Sequence, residues 1–186
     1  MGRHRTIDPA DILAAAEQVV ARDGAAHLTI DAVAAEAKIS KASVIYNFAS
    51  KRDLIAAVVK KAVAADNELH ATATKKLGDA KNNVIRGRLA AAAKPLPDDF
   101  RPIALQLCAA LAQDRELRSI IQTNQNEVID AIKETSSKPR GALLAYLALE
   151  GLKLLESLDY HQWSAKERAR IVREIEWLVD KTPEAK

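Results

Sequence analysis

Apolar residues recur at helical spacing along most of the chain, and the polar residues between them fall where helices start and stop. Asp8 followed by Pro9 opens a first helix whose stripe is Ile12, Leu13, Ala16, Val19 and Val20, and Gly24 closes it. Thr29 is placed to cap a second helix with Ile30, Val33, Ala34 and Ala37 on one face. Lys38, Ile39 and Ser40 form a short connection, and Ser40 caps a third helix over about 41–47, in which Val44 and Phe48 face the core. A capping box at Ser50 to Asp53 then starts a long helix carrying Leu54, Ile55, Val58, Val59 and Ala62, which reaches Leu77 before Gly78. Further helical stretches are expected at about 82–93, 102–113, 115–135, 140–158 and 165–181, punctuated by Pro95, Pro97, Pro102 and Pro139. The last is capped at Ser164 and has one stripe of Ile171, Val172, Ile175, Leu178 and Val179. The fold class is all-α.

The helix over 140–158 carries more apolar surface than one packing face requires. Leu143, Leu144, Ala145, Leu147, Ala148, Leu152, Leu154, Leu155 and Leu158 spread over roughly 200 degrees, about twice the usual stripe. Such a helix is covered on two sides. Either it is the central core helix of a monomer, or it packs inward on its own lobe and outward on a second copy. The second reading predicts a dimer interface built from Leu143, Leu147, Gly151, Leu154, Leu155 and Leu158 together with Ile171, Ile175 and Leu178, with Gly151 permitting close approach.

Length and composition fit two helical lobes. With 186 residues, 4% aromatics and only six Gly and six Pro, the chain suits packed helices rather than a sandwich or barrel. The expected division is an N-terminal arm and reading domain over 1–50, a connecting helix over 51–78 and a C-terminal domain over 79–186. A single cysteine, Cys108, excludes an internal disulfide, and no apolar run approaches a membrane span or signal peptide, so a cytosolic protein is expected. The net charge of +3 says little, but its distribution is polarised. Residues 8–36 set Arg22 against Asp8, Asp11, Glu17, Asp23, Asp31 and Glu36, whereas residues 38–61 set Lys38, Lys41, Lys51, Arg52, Lys60 and Lys61 against Asp53 alone.

The basic block coincides with the third helix. There Lys41, Ala42, Ser43, Ile45 and Tyr46 point away from the core: small side chains permit approach to base edges, and the lysine, the hydroxyls and the helix N-terminus favour phosphate. The run Ala37-Lys38-Ile39-Ser40-Lys41-Ala42-Ser43-Val44-Ile45-Tyr46-Asn47-Phe48 resembles the A-G-V-S-x-G-T-L-Y-x-H-F signature of the tetracycline-repressor-like (TetR) family of bacterial transcription regulators. Lys38 and Ala42 replace glycines of that signature, and Ile45 replaces a tyrosine. The resemblance runs closely from Thr6 to about Ala62 and implies a helix-turn-helix reading a double-stranded, palindromic operator. Its expected DNA-contacting set is Arg5, Thr29, Lys38, Ser40, Lys41, Ala42, Ser43, Ile45, Tyr46, Asn47 and Lys51. It also implies a homodimer and a small-molecule effector in the C-terminal lobe, for which Leu105, Cys108, Leu111, Ile121 and Tyr146 are candidate lining, with Gln106, Gln122 or Asn124 as polar anchors.

No metalloprotease, thiol-redox, phosphate-loop or nucleophile-elbow motif occurs, so neither an enzyme nor a cofactor is expected. His4, His27, His70 and His161 are scattered and expected at the surface. The rival to a DNA-binding regulator is a helical protein-interaction module whose basic face is merely solvated.

Overall fold

The computed structural model describes residues 8–93 and 110–183. Eight helices have bounded ranges: α1 Pro9–Asp23, α2 Ile30–Ala37, α3 Lys41–Asn47, α4 Lys51–Lys75, α5 Asn83–Ala91, α6 Arg115–Thr135, α7 Pro139–Ser157 and α8 Ala165–Leu178. Residues 110–113 are also helical, and there is no strand among the described residues. None of these helices is long and apolar enough to cross a membrane. The chain divides into two compact units, one of residues 1–62 with 102–120 and one of residues 63–101 with 121–186.

In the first unit the polar residues at helix starts make the hydrogen bonds their positions call for. Asp8 accepts from the Ala10 amide at 2.9 Å, Thr29 from Ala32 at 3.0 Å, and Ser40 from Ser43 at 3.1 Å. Each satisfies an amide that the first helical turn would leave unpaired. Ile12, Ala16, Val19 and Val20 of α1, Val33 and Ala34 of α2, Val44 of α3, and Leu54, Val58 and Val59 of α4 fill the core with Leu28.

Lys38 ends α2 in the left-handed region, at φ 55 and ψ 43, so that its amide and that of Ile39 close back on the last turn. This is the position where the family signature carries glycine, and an L side chain there is strained by about 1 kcal/mol or more. Lys38→Gly removes the Cβ clash at the expense of a more flexible unfolded chain. The expected result is a gain of about 0.5 kcal/mol, read as a higher urea midpoint at unchanged slope. A lower midpoint would show that the lysine stem contributes more packing than its strained backbone costs.

The second unit packs α5, α7 and α8 around Ile85, Leu89, Ile132, Ala142, Ala145, Tyr146, Leu149, Leu152, Ile175 and Val179. Asn82, also left-handed at φ 65 and 4% exposed, fastens this core. Its amide donates to the Thr135 carbonyl, its side-chain nitrogen donates to Asp180, and its side-chain oxygen accepts from the Ser137 amide. Gly141 of α7 is a point of contact with the end of α8: a Cβ there would lie 2.1 Å from the Lys181 carbonyl oxygen and 2.5 Å from that of Leu178. Ser164 caps α8 through the Glu167 amide at 3.2 Å.

Candidate nucleic-acid interface

The α2–α3 pair is a short helix-turn-helix whose inner faces are spent on the core and whose outer face is left to solvent. Val44 is fully buried, while Lys41 and Ala42 are exposed and Ile45 and Tyr46 are 45% and 91% exposed. A tyrosine ring this open makes no use of its apolar area within the unit. Ser40 and Ser43 share a hydrogen bond between their hydroxyls at 2.7 Å, and Asn47 donates back to the Ser43 carbonyl at 2.9 Å. These contacts hold the small polar side chains in a fixed row along α3.

Charges in this unit are partly neutralised by partners from the acidic block. Lys41 reaches Asp31 on α2 at 3.0 Å, but both ends are more than half exposed, so a phosphate can displace the carboxylate. Lys61 pairs with Glu17 at 2.8 Å, and Arg22 with Glu36 at 2.7 Å. Lys51 donates to the Ala26 carbonyl at 2.6 Å, bracing the start of α4 against the loop before α2. Arg52 grips Asp114 through two nitrogens at 2.8 and 2.9 Å. The Arg52 hydrogen bond, followed by the Leu117 amide, holds the Asp114 carboxyl down at about 2. Asp114 is also the N-cap of α6, accepting from the Glu116 and Leu117 amides.

Lys41, Ala42, Ser43, Ile45, Tyr46 and Asn47 thus lie on α3, Thr29, Lys38 and Ser40 cap the ends of α2 and α3, and Lys51 starts the next helix of the same unit. Arg5 lies outside the described residues. The long-range pairs Lys41–Asp31 and Arg52–Asp114 had no signal in the sequence beyond opposite sign.

In the second unit, α7 carries two faces. Gly141, Ala142, Ala145, Tyr146, Leu149 and Leu152 are buried, whereas Leu147, Leu154 and Leu155 are 56%, 50% and 39% exposed. Leu143 and Leu158 are half-buried, and Gly151 has open space where a Cβ would stand. On α8, Ile171 and Leu178 are half-buried beside an exposed Trp177, while Ile175 is buried in the unit's own core.

Of the candidate effector lining, Leu105 and Cys108 lie outside the described residues, as does Gln106. Leu111 belongs to the first unit, and Ile121 and Tyr146 to the second. Tyr146 is buried, and its hydroxyl donates to the Gln125 side-chain oxygen. Burial, reinforced by Glu150, pushes this phenol up to about 12. Asn124 accepts from Asn67 at 2.6 Å, and Gln122 is exposed.

His70 is a correction to the sequence reading: it is not at the surface but 6% exposed, inside the second unit. Its Nε2 stands 3.3 Å from Asp66, four residues earlier on α4, without the alignment of a hydrogen bond, and its Nδ1 has no partner. Arg88 of α5 and Lys153 of α7 approach the same carboxylate at 4.0 and 3.7 Å.

Two family models match the chain: the tetracyclin repressor-like C-terminal domain over residues 82–180, and the N-terminal model of the tetR family of bacterial regulatory proteins over residues 12–58. No curated protein matches. Among solved structures, SCO7518 of Streptomyces coelicolor A3(2) superposes with a TM-score of 0.73 at 15% identity, covering 92% of this chain and 98% of its own. The multidrug binding protein EbrR complexed with malachite green gives a TM-score of 0.72 at 21% identity, covering 96% of this chain and 100% of its own. SCO1917, a TetR-family member from Streptomyces coelicolor A3, gives 0.64 at 21% identity over 89% and 96%.

Proposed function

The chain belongs to the tetracycline-repressor-like family of bacterial regulatory proteins and is a DNA-binding transcriptional regulator, and from this premise we propose that it is a ligand-responsive repressor that binds a palindromic operator as a homodimer. The observation that carries the DNA reading is the exposed row Lys41, Ala42, Ile45 and Tyr46 on a helix whose other side is locked into the core. In this reading Ala42, Ser43 and Ile45 approach base edges, and Lys41, Tyr46 and Lys51 take phosphates, with Thr29, Lys38, Ser40 and Asn47 at the groove margin. Arg5 belongs to an arm that reaches an adjacent phosphate or groove. No catalytic step is part of this function, and the site of action is the cytoplasm.

Each lysine lost from the phosphate set reduces the salt dependence of binding. Lys41→Ala with Lys51→Ala should weaken operator and non-operator DNA alike and lower the slope of log K against log salt by about 1 unit per contact removed. Ser43→Ala should instead alter preference among sites. Selection of bound fragments from the source genome supplies the operator for these titrations, and an unchanged slope in the doubly substituted protein would sink the assignment.

Dimerisation is proposed through α7 and α8 of two copies, on the exposed Leu147, Leu154 and Leu155 with Leu143, Gly151, Leu158, Ile171 and Leu178; Ile175 supports that face from beneath. Three half-exposed leucines on a single helix are apolar surface that water does not favour, and α8 adds a tryptophan 61% exposed. Two-fold symmetry then places the half-sites about one helical turn of DNA, roughly 34 Å, or a multiple apart. Leu147→Glu with Leu155→Glu should yield a monomer by sedimentation and lose operator binding; a monomeric wild type at micromolar concentration is the opposing result. The domains assigned to these roles are the arm and reading unit over 1–50, the helix over 51–78 and the effector and dimer domain over 79–186. Support for an effector comes from EbrR, a multidrug binding protein of the same fold. Because α4 is one unbroken helix contributing residues to both units, we take it as the element that carries the effector signal.

A further inference from the structure

Polar groups inside the second unit are unevenly matched. Asp66 of α4 is approached by His70 at 3.3 Å, Lys153 at 3.7 Å and Arg88 at 4.0 Å. Arg88 is 5% exposed and makes no hydrogen bond to another described residue; its guanidinium also lies 5.7 Å from the centre of the Tyr146 ring. Neither nitrogen of His70 has a hydrogen-bond partner. Lys153 turns its remaining capacity to Glu150 at 3.2 Å. Tyr146 donates to Gln125, and Asn67 to Asn124, so the Gln125 and Asn124 side-chain oxygens are already taken.

Among the described residues, donors therefore exceed acceptors. A guanidinium offers five N–H groups and an ammonium three, whereas the acceptors among them are one carboxylate at long range and Glu150 at its edge. Buried donors in natural proteins are paired in the great majority of cases, and leaving them unpaired is costly. Asp66 sits among three basic groups at distances longer than good charge-assisted bonds, which are about 2.7–2.9 Å. It occupies the place of an oxyanion without filling it. Burial works against ionisation of Asp66, yet His70, Lys153 and Arg88 together outweigh it and hold the carboxyl down at about 2.

We propose that Arg88, Lys153 and His70 form a seat for an oxyanion, and that the effector carries a carboxylate or phosphate which displaces Asp66 from it. The proposal deepens the ligand-responsive reading and rests on it. The bidentate geometry of a guanidinium suits either group. Displacement acts on α4 directly, because Asp66 and His70 are both on that helix. An anion that takes over the attraction of Arg88 and Lys153 releases the carboxylate that ties α4 to α5 and α7, so binding and helix position are linked through the same charges.

The experiment vacates the seat. In the full-length Asp66→Ala protein, acetate and inorganic phosphate are compared with sodium chloride at equal ionic strength. Expected is a melting temperature below wild type that acetate, phosphate or both raise by about 3 °C more than chloride does, and no such rise when Arg88→Gln is added. Which of the two acts distinguishes a carboxylate from a phosphate effector. If the alanine variant does not fold, Asp66→Ser takes its place in the same comparison. In the wild-type protein, benzoate or phenyl phosphate should raise the melting temperature and isosteric neutral benzamide should not. Rescue by neither anion, rescue that survives Arg88→Gln, or a wild-type shift with benzamide and not with benzoate or phenyl phosphate would overturn the proposal. Rescue by an anion that leaves operator affinity unchanged would keep the seat and refute the ligand-responsive reading instead.

Discussion

Replacing Arg168 by alanine is expected to destabilise the second unit by about 3–5 kcal/mol, the cost of breaking a buried ion pair from one side. Arg168 of α8 is 7% exposed, and so is its partner Glu156 of α7. The guanidinium holds both carboxylate oxygens, at 2.7 and 3.2 Å, and donates to the Ala92 carbonyl at the end of α5 at 2.7 Å. Alanine leaves a carboxylate and a carbonyl buried without their donor. The effect is therefore dominated by what stays behind rather than by the bond lost. Calorimetry of the single variant and of Glu156→Leu with Arg168→Met separates the two: the double variant should recover most of the loss, because it leaves no charge uncompensated. A loss below about 1 kcal/mol in the single variant would mean that water reaches Glu156 freely.

The second large effect is expected from Gly141→Val, at roughly 3 kcal/mol. The atoms that a side chain would meet at this position are the Leu178 and Lys181 carbonyls at the end of α8, and backbone cannot rotate aside as a side chain can. α7 and α8 must separate to admit it. Both helices also supply the proposed dimer face, so the substitution should shift sedimentation toward monomer at protein concentrations where wild type is dimeric. The control is Gly151→Ala, on the same helix with open space around it, which within the chain should cost nothing and gain helix propensity. Equal stability of wild type and Gly141→Val would show that the end of α8 is not held where it lies.

These two glycines also show where sequence reading stops. Gly151 attracts attention because it stands in a leucine-rich step, yet the crowded glycine is Gly141, and only the return of α8 in space makes it so. Local signals were legible. Asp8, Thr29, Ser40 and Ser164 each make the capping bond that their position implies, and Lys38 adopts the left-handed backbone that its place in the signature demands. Those features depend on residues within four of each other. The cluster around Asp66 depends on residues from 66 to 153, each of which alone reads as one more charge on a solvated helix face. His70 was misplaced for the same reason: it lies among polar neighbours on α4, and its burial comes from packing that no periodicity encodes.

The length of α4 has a mechanical consequence. Twenty-five residues of uninterrupted helix span about 37 Å, with no proline or glycine to bend them. Such a rod is a lever: a tilt of about 5° about one end moves the other by about 3 Å, nearly the 3.4 Å step between successive base pairs. On the proposed reading, a change at Asp66 too small to disturb the core around it is enough to move the far end of α4 by such a step.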